Sequence, residues 1–501
     1  MAESAFLQIH AHDNVAVALR DVEPGEAFAL DERSIIAKEK IPKGHKMALR
    51  LLAVGDHVMK YGAPIGHMIN DVTEGGHVHA HNLVTNLSGK LDYTYQAVAL
   101  SEKNNADETL PQFFEGYVRT HGEVGIRNEI WIINTVGCIN KVAERLAAAA
   151  HARFAGQGVD GVYHFAHPYG CSQLGGDLLY TQKALAGLVR HPNAAGVLVL
   201  GLGCENNRIH DFLPHLGQYD QQRILFLQVQ SVQDEWEEGM AKIEQLVEQA
   251  RQDHRQTVSV AKLKVGLKCG GSDGFSGITA NPLIGAVSDL LVANGATSLL
   301  TEVPEMFGAE TILMDRAKNE EVFHKIVHLI NSFKDYYTRH NQVIYENPSP
   351  GNKEGGITTL EEKSLGCTQK GGHSTVQDVL AYGDVSVNTG LNLVEAPGND
   401  MVSVTALIDA GAHIVLFSTG RGTPLGGAVP TLKIATNSTL ASQKPHWIDF
   451  DAGRLLTGST QYDLAAELYR QIIDVASGKT MTKNEQNAFR EIAIFKDGVT
   501  L

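Results

Sequence analysis

Apolar residues in the first ninety positions come in short runs separated by turn signals. Ala5 to Ile9 and Asn14 to Leu19 are of strand length, and Asp21-Val22-Glu23-Pro24-Gly25 follows them as a turn. Pro42-Lys43-Gly44-His45-Lys46 precedes Met47 to Ala53, and Val54-Gly55-Asp56 precedes His57 to Tyr61. Short runs at this spacing predict a small all-β domain over residues 1–90. The chain then turns polar around Ser101 to Glu108, which marks 91–115 as a linker. Beyond it the period changes. Strand-like runs at Asn128 to Val136, Val162 to Ala166, Gly196 to Leu200 and Arg223 to Val229 alternate with helical patterns at Asn140 to Arg153, Asp177 to Val189 and Glu235 to Arg251. Such alternation predicts an α/β domain over 116–258 built on a doubly wound, largely parallel sheet. A second α/β domain, 259–501, reads the same way from the strand Lys264 to Lys268, the helix Leu283 to Asn294, and the strands Ser298 to Leu300 and Ile414 to Phe417. Tyr345 to Gly356 reads as a long loop. Ligands of doubly wound sheets sit beyond the carboxyl ends of the strands, so the chemistry is to be sought there.

Composition narrows the function classes. A chain of 501 residues with a formal charge of −15 and no Lys/Arg run offers nucleic acid no basic patch. Five cysteines, Cys138, Cys171, Cys204, Cys269 and Cys367, are odd in number and lack a CxxC, which argues against a disulfide framework and for a reducing compartment. No apolar run approaches the ~20 residues of a membrane-spanning helix, so a cytoplasmic protein without a membrane partner is expected.

The densest chemistry is Gly75-Gly76-His77-Val78-His79-Ala80-His81-Asn82. Were this an extended strand, His77, His79 and His81 would share one face, and neutral imidazoles suit iron, zinc, copper or nickel. The opposing reading is a surface strand whose histidines bind nothing. Three strand ends carry a Gly-Cys pair, at Cys138, Cys171 and Cys204, which is either a shared thiol or cluster site or three small buried residues beside glycine turns. The loop from Cys269 to Pro282, with Ser272 and Asp273, can turn backbone N–H groups toward an anion, although it matches no nucleotide-binding pattern. Glu302 and Glu305 flank Pro304 at a strand end, as hard metal ligands or as first-turn helix acids. Arg421, between two glycines after a buried strand, is placed to grip a carboxylate with both prongs.

Longer phrases carry a resemblance: GHVHAHN (76–82), GYVRTHGEVGIRNE (116–129), HPYGCSQLGGD (167–177), GLGCENN (201–207), CGGSDGFSGITANP (269–282), TEVPEMFGAE (301–310), ENPSPGNKEGGITTLEEKSLGCTQK (346–370) and FSTGRGTPLGG (417–427). In these the chain resembles the altronate/galactarate dehydratase family nearly end to end. The resemblance implies a SAF-like N-terminal β domain and dehydration of a sugar acid with ferrous iron, or manganese in its place. The substrate implied is D-altronate, giving 2-keto-3-deoxy-D-gluconate in hexuronate catabolism, with galactarate or another aldonate as the alternative. The residues support metal-assisted β-elimination, in which the C2 proton leaves, a divalent ion stabilises the enediolate and the C3 hydroxyl departs. Metal candidates are His77, His79, His81, Glu302 and Glu305; proton carriers are Lys60, His45 and His121; substrate contacts are Arg421, Ser272, Asp273, Asn206 and Lys353. An iron–sulfur dehydratase using Cys138, Cys171 and Cys204, and a non-enzymatic sugar-acid binder, are the competing classes. A homo-oligomer is expected.

Overall fold

The computed structural model describes residues 5–30, 33–96 and 107–498. Ser101 to Ala106, the centre of the expected linker, lie outside the described residues. The N-terminal part is all β. Phe6–Leu7, Val15–Ala18, Lys46–Ala48 and His77–Val78 pair antiparallel in that order, and His57–Lys60, Ala63–Met68 and Leu83–Val84 form a second sheet. Ala27–Leu30 and Arg33–Ile36 make a separate ribbon. Val15–Ala18 is buried throughout because both faces of the strand are covered: Ala16 and Ala18 enter one core with Met47, and Val15 enters another with Ala48. That second core also takes in Ala309 and Leu365 from far along the chain, so the β domain shares its interior with the body.

The histidine segment departs from the expected strand. Pairing stops at Val78, because the Asn82 side chain accepts from the His79 N–H at 2.9 Å and donates to the His77 carbonyl at 2.8 Å. These bonds fold His79 to Asn82 into a turn, the local competition that Asn side chains offer to a sheet ladder.

The body holds two parallel sheets. The first orders its strands as Gly161–His164, Glu129–Asn134, Ala194–Gly201 and Ile224–Gln228, with helices Asn140–Phe154, Gly175–Val189 and Glu235–Ala250 packed on it. The second has seven strands, ordered Val376–Leu380, Gly390–Val394, Thr297–Leu300, Lys264–Cys269, Ile414–Thr419, Thr431–Ala435 and Phe450–Asp451. Helix Gly175–Val189 meets helix Asp400–Asp409 in a core common to both sheets. The doubly wound α/β body expected from the alternation is what the chain forms. The seven-stranded sheet starts at Lys264–Cys269 and is wound outward in both directions, so its topological switch point lies between that strand and Ile414–Thr419. A ligand crevice is expected there. The expected loop Tyr345 to Gly356 contains a short helix, Pro350–Glu354, started by Ser349 and by Pro350 in the first turn, where its missing N–H is harmless. No helix among the described residues is long and apolar enough to cross a membrane.

Candidate active site at the seam of the β domain and the body

Helix Leu360–Thr368 organises the site. Thr359 caps it by accepting the Glu362 N–H, and every one of its nine residues is buried although four of the first five after Leu360 are charged or hydroxyl-bearing. Charged groups in such a buried helix must find partners. Glu361 takes the Thr85 hydroxyl at 2.7 Å and the Asn86 N–H at 2.6 Å. Glu362 faces two lysines of the β domain, Lys46 at 2.9 Å and Lys60 at 2.7 Å, all three side chains at most 1% exposed. Burial opposes the charge on Glu362, but the two ammoniums outweigh it and bring its pKa down to about 2. Burial pushes Lys46 down to about 8, with Lys60 adding a like charge, whereas for Lys60 the carboxylate of Glu362 outweighs burial and holds it above the usual range.

Next to this triad the β domain presents its histidines. His45 Nδ1 lies 3.0 Å from His77 Nε2, and His45 Nε2 lies 3.1 Å from the Glu354 carbonyl of the body. His79 Nδ1 meets Thr358 Oγ1 at 3.3 Å, and that hydroxyl also accepts from Lys46 at 2.7 Å. One ligand nitrogen from each of His45, His77 and His79 falls within 4.8 Å of the others. Burial lowers all three pKa values, to about 3 for His77 and His79, so the rings are neutral and their lone pairs available. Glycines allow this close seating. A Cβ on Gly274 would lie 2.3 Å from the Gly44 carbonyl oxygen, and one on Gly356 would lie 2.2 Å from the same atom.

The other face of helix Leu360–Thr368 looks toward the switch point. Lys363 pairs with Glu305 at 2.7 Å and donates to Asn347 and Asn352 at 3.1 Å each. Cys367 Sγ lies 3.1 Å from Glu305 Oε2 and 3.3 Å from Cys269 Sγ. Glu302 is held in the left-handed region, φ 73°, an uncommon conformation for a residue with a side chain. There its carboxylate takes Lys268, Lys370 at 2.9 Å and the Cys269 N–H at 3.1 Å. A cavity of about 580 Å³ opens over these groups, lined by Cys269, Glu305, Asn347, Asn352, Lys363 and Asp400.

The structure thus gathers some expected residues and disperses others. His77 and His79 converge, with His45 as their third partner. His81 is exposed, its ring 5.3 Å from that of His77 and its Nε2 3.0 Å from Asn82, outside the three-nitrogen group. Glu302 and Glu305 stand in the lysine-walled cluster rather than among the histidines. Lys60 adjoins the histidine wall through Glu362, but His121 lines a separate cavity with Arg119, Asp220 and Arg223. Asp273 is buried and knotted to Thr436, Asn437 and Ser276, and burial raises its pKa; the Ser272 carbonyl accepts from Asn352. Arg421, with its side chain 49% exposed, reaches toward Glu354 at 3.4 Å, and Lys353 is half-buried on the same short helix. Asn206 binds the Ser172 N–H at the first sheet, where Cys138, Cys171 and Cys204 are all exposed. Lys268, Glu362, Lys363 and Lys370 were not singled out by the sequence. The available signal was charge inside otherwise apolar elements, such as Lys268 in a buried strand.

Two groups among the described residues have donor atoms close enough for one ion: His45, His77 and His79, and Cys269, Glu305 and Cys367. The histidine set fits a divalent transition metal, being neutral and convergent. The second set fits less well, because Lys363 already neutralises Glu305 and the Cys367 thiol is pushed well up by its bond with Cys269 and by burial.

A switch-point cavity with one ammonium and several side-chain amides in its wall suits a small anion, and the neighbouring β domain carries a three-histidine group. Comparisons name the class. Residues 4–86 match the altronate/galactarate dehydratase SAF domain, 116–251 the D-galactarate dehydratase/altronate hydrolase second domain, and 260–500 the D-galactarate/altronate dehydratase C-terminal domain. The chain is 52% identical to altronate dehydratase of Escherichia coli (strain K12), over 99% of this chain and all of that protein. It is 52% identical to altronate dehydratase of Bacillus subtilis (strain 168) with the same coverage, and 32% identical to galactarate dehydratase (L-threo-forming) of Escherichia coli (strain K12), over 98% of this chain and 96% of that one. It is a sugar-acid hydro-lyase. The chain belongs to the altronate/galactarate dehydratase family.

Proposed function

We propose that this enzyme removes water from D-altronate to give 2-keto-3-deoxy-D-gluconate, with ferrous iron, or manganese in its place, at His45, His77 and His79. The observation that carries the substrate is the 52% identity to two altronate dehydratases over their whole length, against 32% to the galactarate enzyme. The cavity supports it in chemistry: about 580 Å³ is room for a six-carbon acid, and its wall combines an ammonium with two side-chain amides suited to a carboxylate and hydroxyls. When bound, the metal supplies stabilisation of the negative charge that develops on the enediolate. Lys363, with Asn347 and Asn352, orients the acid. Arg421, exposed on the loop after strand Ile414–Thr419, adds a two-pronged grip on the carboxylate. Lys46, paired with Glu362 and bridged to His79 through Thr358, holds the histidine wall against the body. Lys60 stays paired with Glu362 and keeps the seam closed against water. The soluble-substrate reaction needs no nucleic acid or membrane, and a homo-oligomer remains the proposed assembly.

Anaerobic turnover by iron-loaded protein of D-altronate, galactarate and other aldonates, followed as 2-keto acid, tests the reading. D-altronate should give the highest kcat/KM. A higher value for galactarate would reassign the substrate.

A further inference from the structure

We propose that Cys269 and Cys367 are an oxidation site, in which a small hydroperoxide entering the cavity converts the two thiols into a disulfide. The two are 98 residues apart in sequence, free, and 3.3 Å apart at sulfur, one at the end of strand Lys264–Cys269 and the other on helix Leu360–Thr368. The other three thiols are exposed, so this buried pair differs in kind from them. Burial usually makes cysteine inert, but Cys269 lines the cavity of about 580 Å³ and so meets whatever small molecule enters it. Its sulfur also accepts a hydrogen bond from the Lys370 ammonium at 2.9 Å, a cation placed to hold charge on that sulfur as it attacks, with the carboxylates of Glu305 at 3.5 Å and Glu302 at 3.8 Å on its other sides. Cys367 has no such lysine at its sulfur in hydrogen-bond reach; it donates to Glu305 at 3.1 Å. The roles divide accordingly, with Cys269 attacking and Cys367 resolving.

The chemistry closes without another reactant. The Cys269 thiolate attacks hydrogen peroxide, the O–O bond breaks, and a sulfenic acid forms on Cys269 while hydroxide leaves and recovers the proton that Cys269 had lost. Cys367 sulfur then attacks the sulfenic sulfur, the S–O bond breaks, and the hydroxyl departs with the Cys367 proton as water. Two thiols and one hydrogen peroxide give one disulfide and two waters; the sulfurs together lose two electrons and the peroxide gains them. The new bond draws Cys367 off Glu305 and ties the central helix to the strand at the switch point, so the cavity floor changes shape. Turnover should fall while the bond persists and return when it is reduced.

The test uses the full-length protein, hydrogen peroxide as probe, alkylation of remaining thiols, and peptide mass mapping alongside turnover. The expected result is a linked peptide pair containing Cys269 and Cys367, lighter by two hydrogens, formed together with a loss of turnover that dithiothreitol reverses. In Cys367→Ser the link should be absent and Cys269 should advance to sulfinic acid, which dithiothreitol does not reverse. In the variant Cys138→Ser/Cys171→Ser/Cys204→Ser the link should still form. Should Cys367→Ser fail to fold, the peptide map of the unsubstituted protein decides alone. Cys269 and Cys367 both recovered as alkylated thiols after the exposed cysteines have oxidised would overturn the proposal, as would a link from either to an exposed cysteine.

Discussion

Lys46 and Glu362, 316 positions apart, form an ion pair at 2.9 Å in which neither side chain is more than 1% exposed. With Lys60 on the other carboxylate oxygen, the seam holds two cations and one anion in a dry interior. Removing the anion therefore differs from removing either cation. Glu362→Ala strands two ammoniums and should lower unfolding free energy by about 3–5 kcal/mol, the usual cost of breaking a buried pair from one side. Urea unfolding measures this, and an unchanged midpoint would show that water reaches the triad.

The same triad sets an acid limit. Glu362 has its folded pKa depressed to about 2, from an ordinary value of 4.5. Its contribution is then fully present above pH 4.5 and is lost as pH falls from there toward about 2, because the unfolded state binds the proton first. The difference in stability between the unsubstituted protein and Glu362→Gln should shrink over that window. A difference that stays constant from pH 5 to pH 3, within about half a kcal/mol, would contradict the assignment.

Much of this architecture was legible in the pattern of residues. Alternating strands and helices gave the parallel sheets, because both faces of such sheets are covered and their strands read as continuous apolar runs. Gly75-Gly76 and the histidine spacing pointed to this segment on the premise of an extended strand, whereas His77 and His79 converge through a turn made by Asn82 and His45 joins from just before the strand Lys46–Ala48. Tertiary pairing decided the rest. Nothing local to Thr358-Thr359-Leu360-Glu361-Glu362-Lys363 announces that its charges are buried, since their partners Lys46, Lys60 and Glu305 lie far along the chain.

Arg421→Lys tests the carboxylate grip. The side chain is exposed, so stability should move by no more than about 0.5 kcal/mol. KM for D-altronate should rise, since lysine lacks the planar fork. Unchanged KM and kcat would remove Arg421 from the site.

Gly274→Ala tests the seam. Its new methyl would meet the Gly44 carbonyl oxygen at 2.3 Å, a backbone atom with nothing soft to yield. The β domain should lift from the body, seen as faster proteolysis between residues 87 and 115 and loss of turnover. Full activity in this variant would show that the two surfaces need not stay closed.

The central claim is that the metal sits on the imidazoles of the β domain. X-ray absorption at the iron edge of anaerobically loaded protein tests it most directly. The account predicts a first shell of nitrogen and oxygen with imidazole scattering that weakens in His77→Ala and in His79→Ala and is kept in His81→Ala. Sulfur in that shell would contradict it and move the metal to the cysteines.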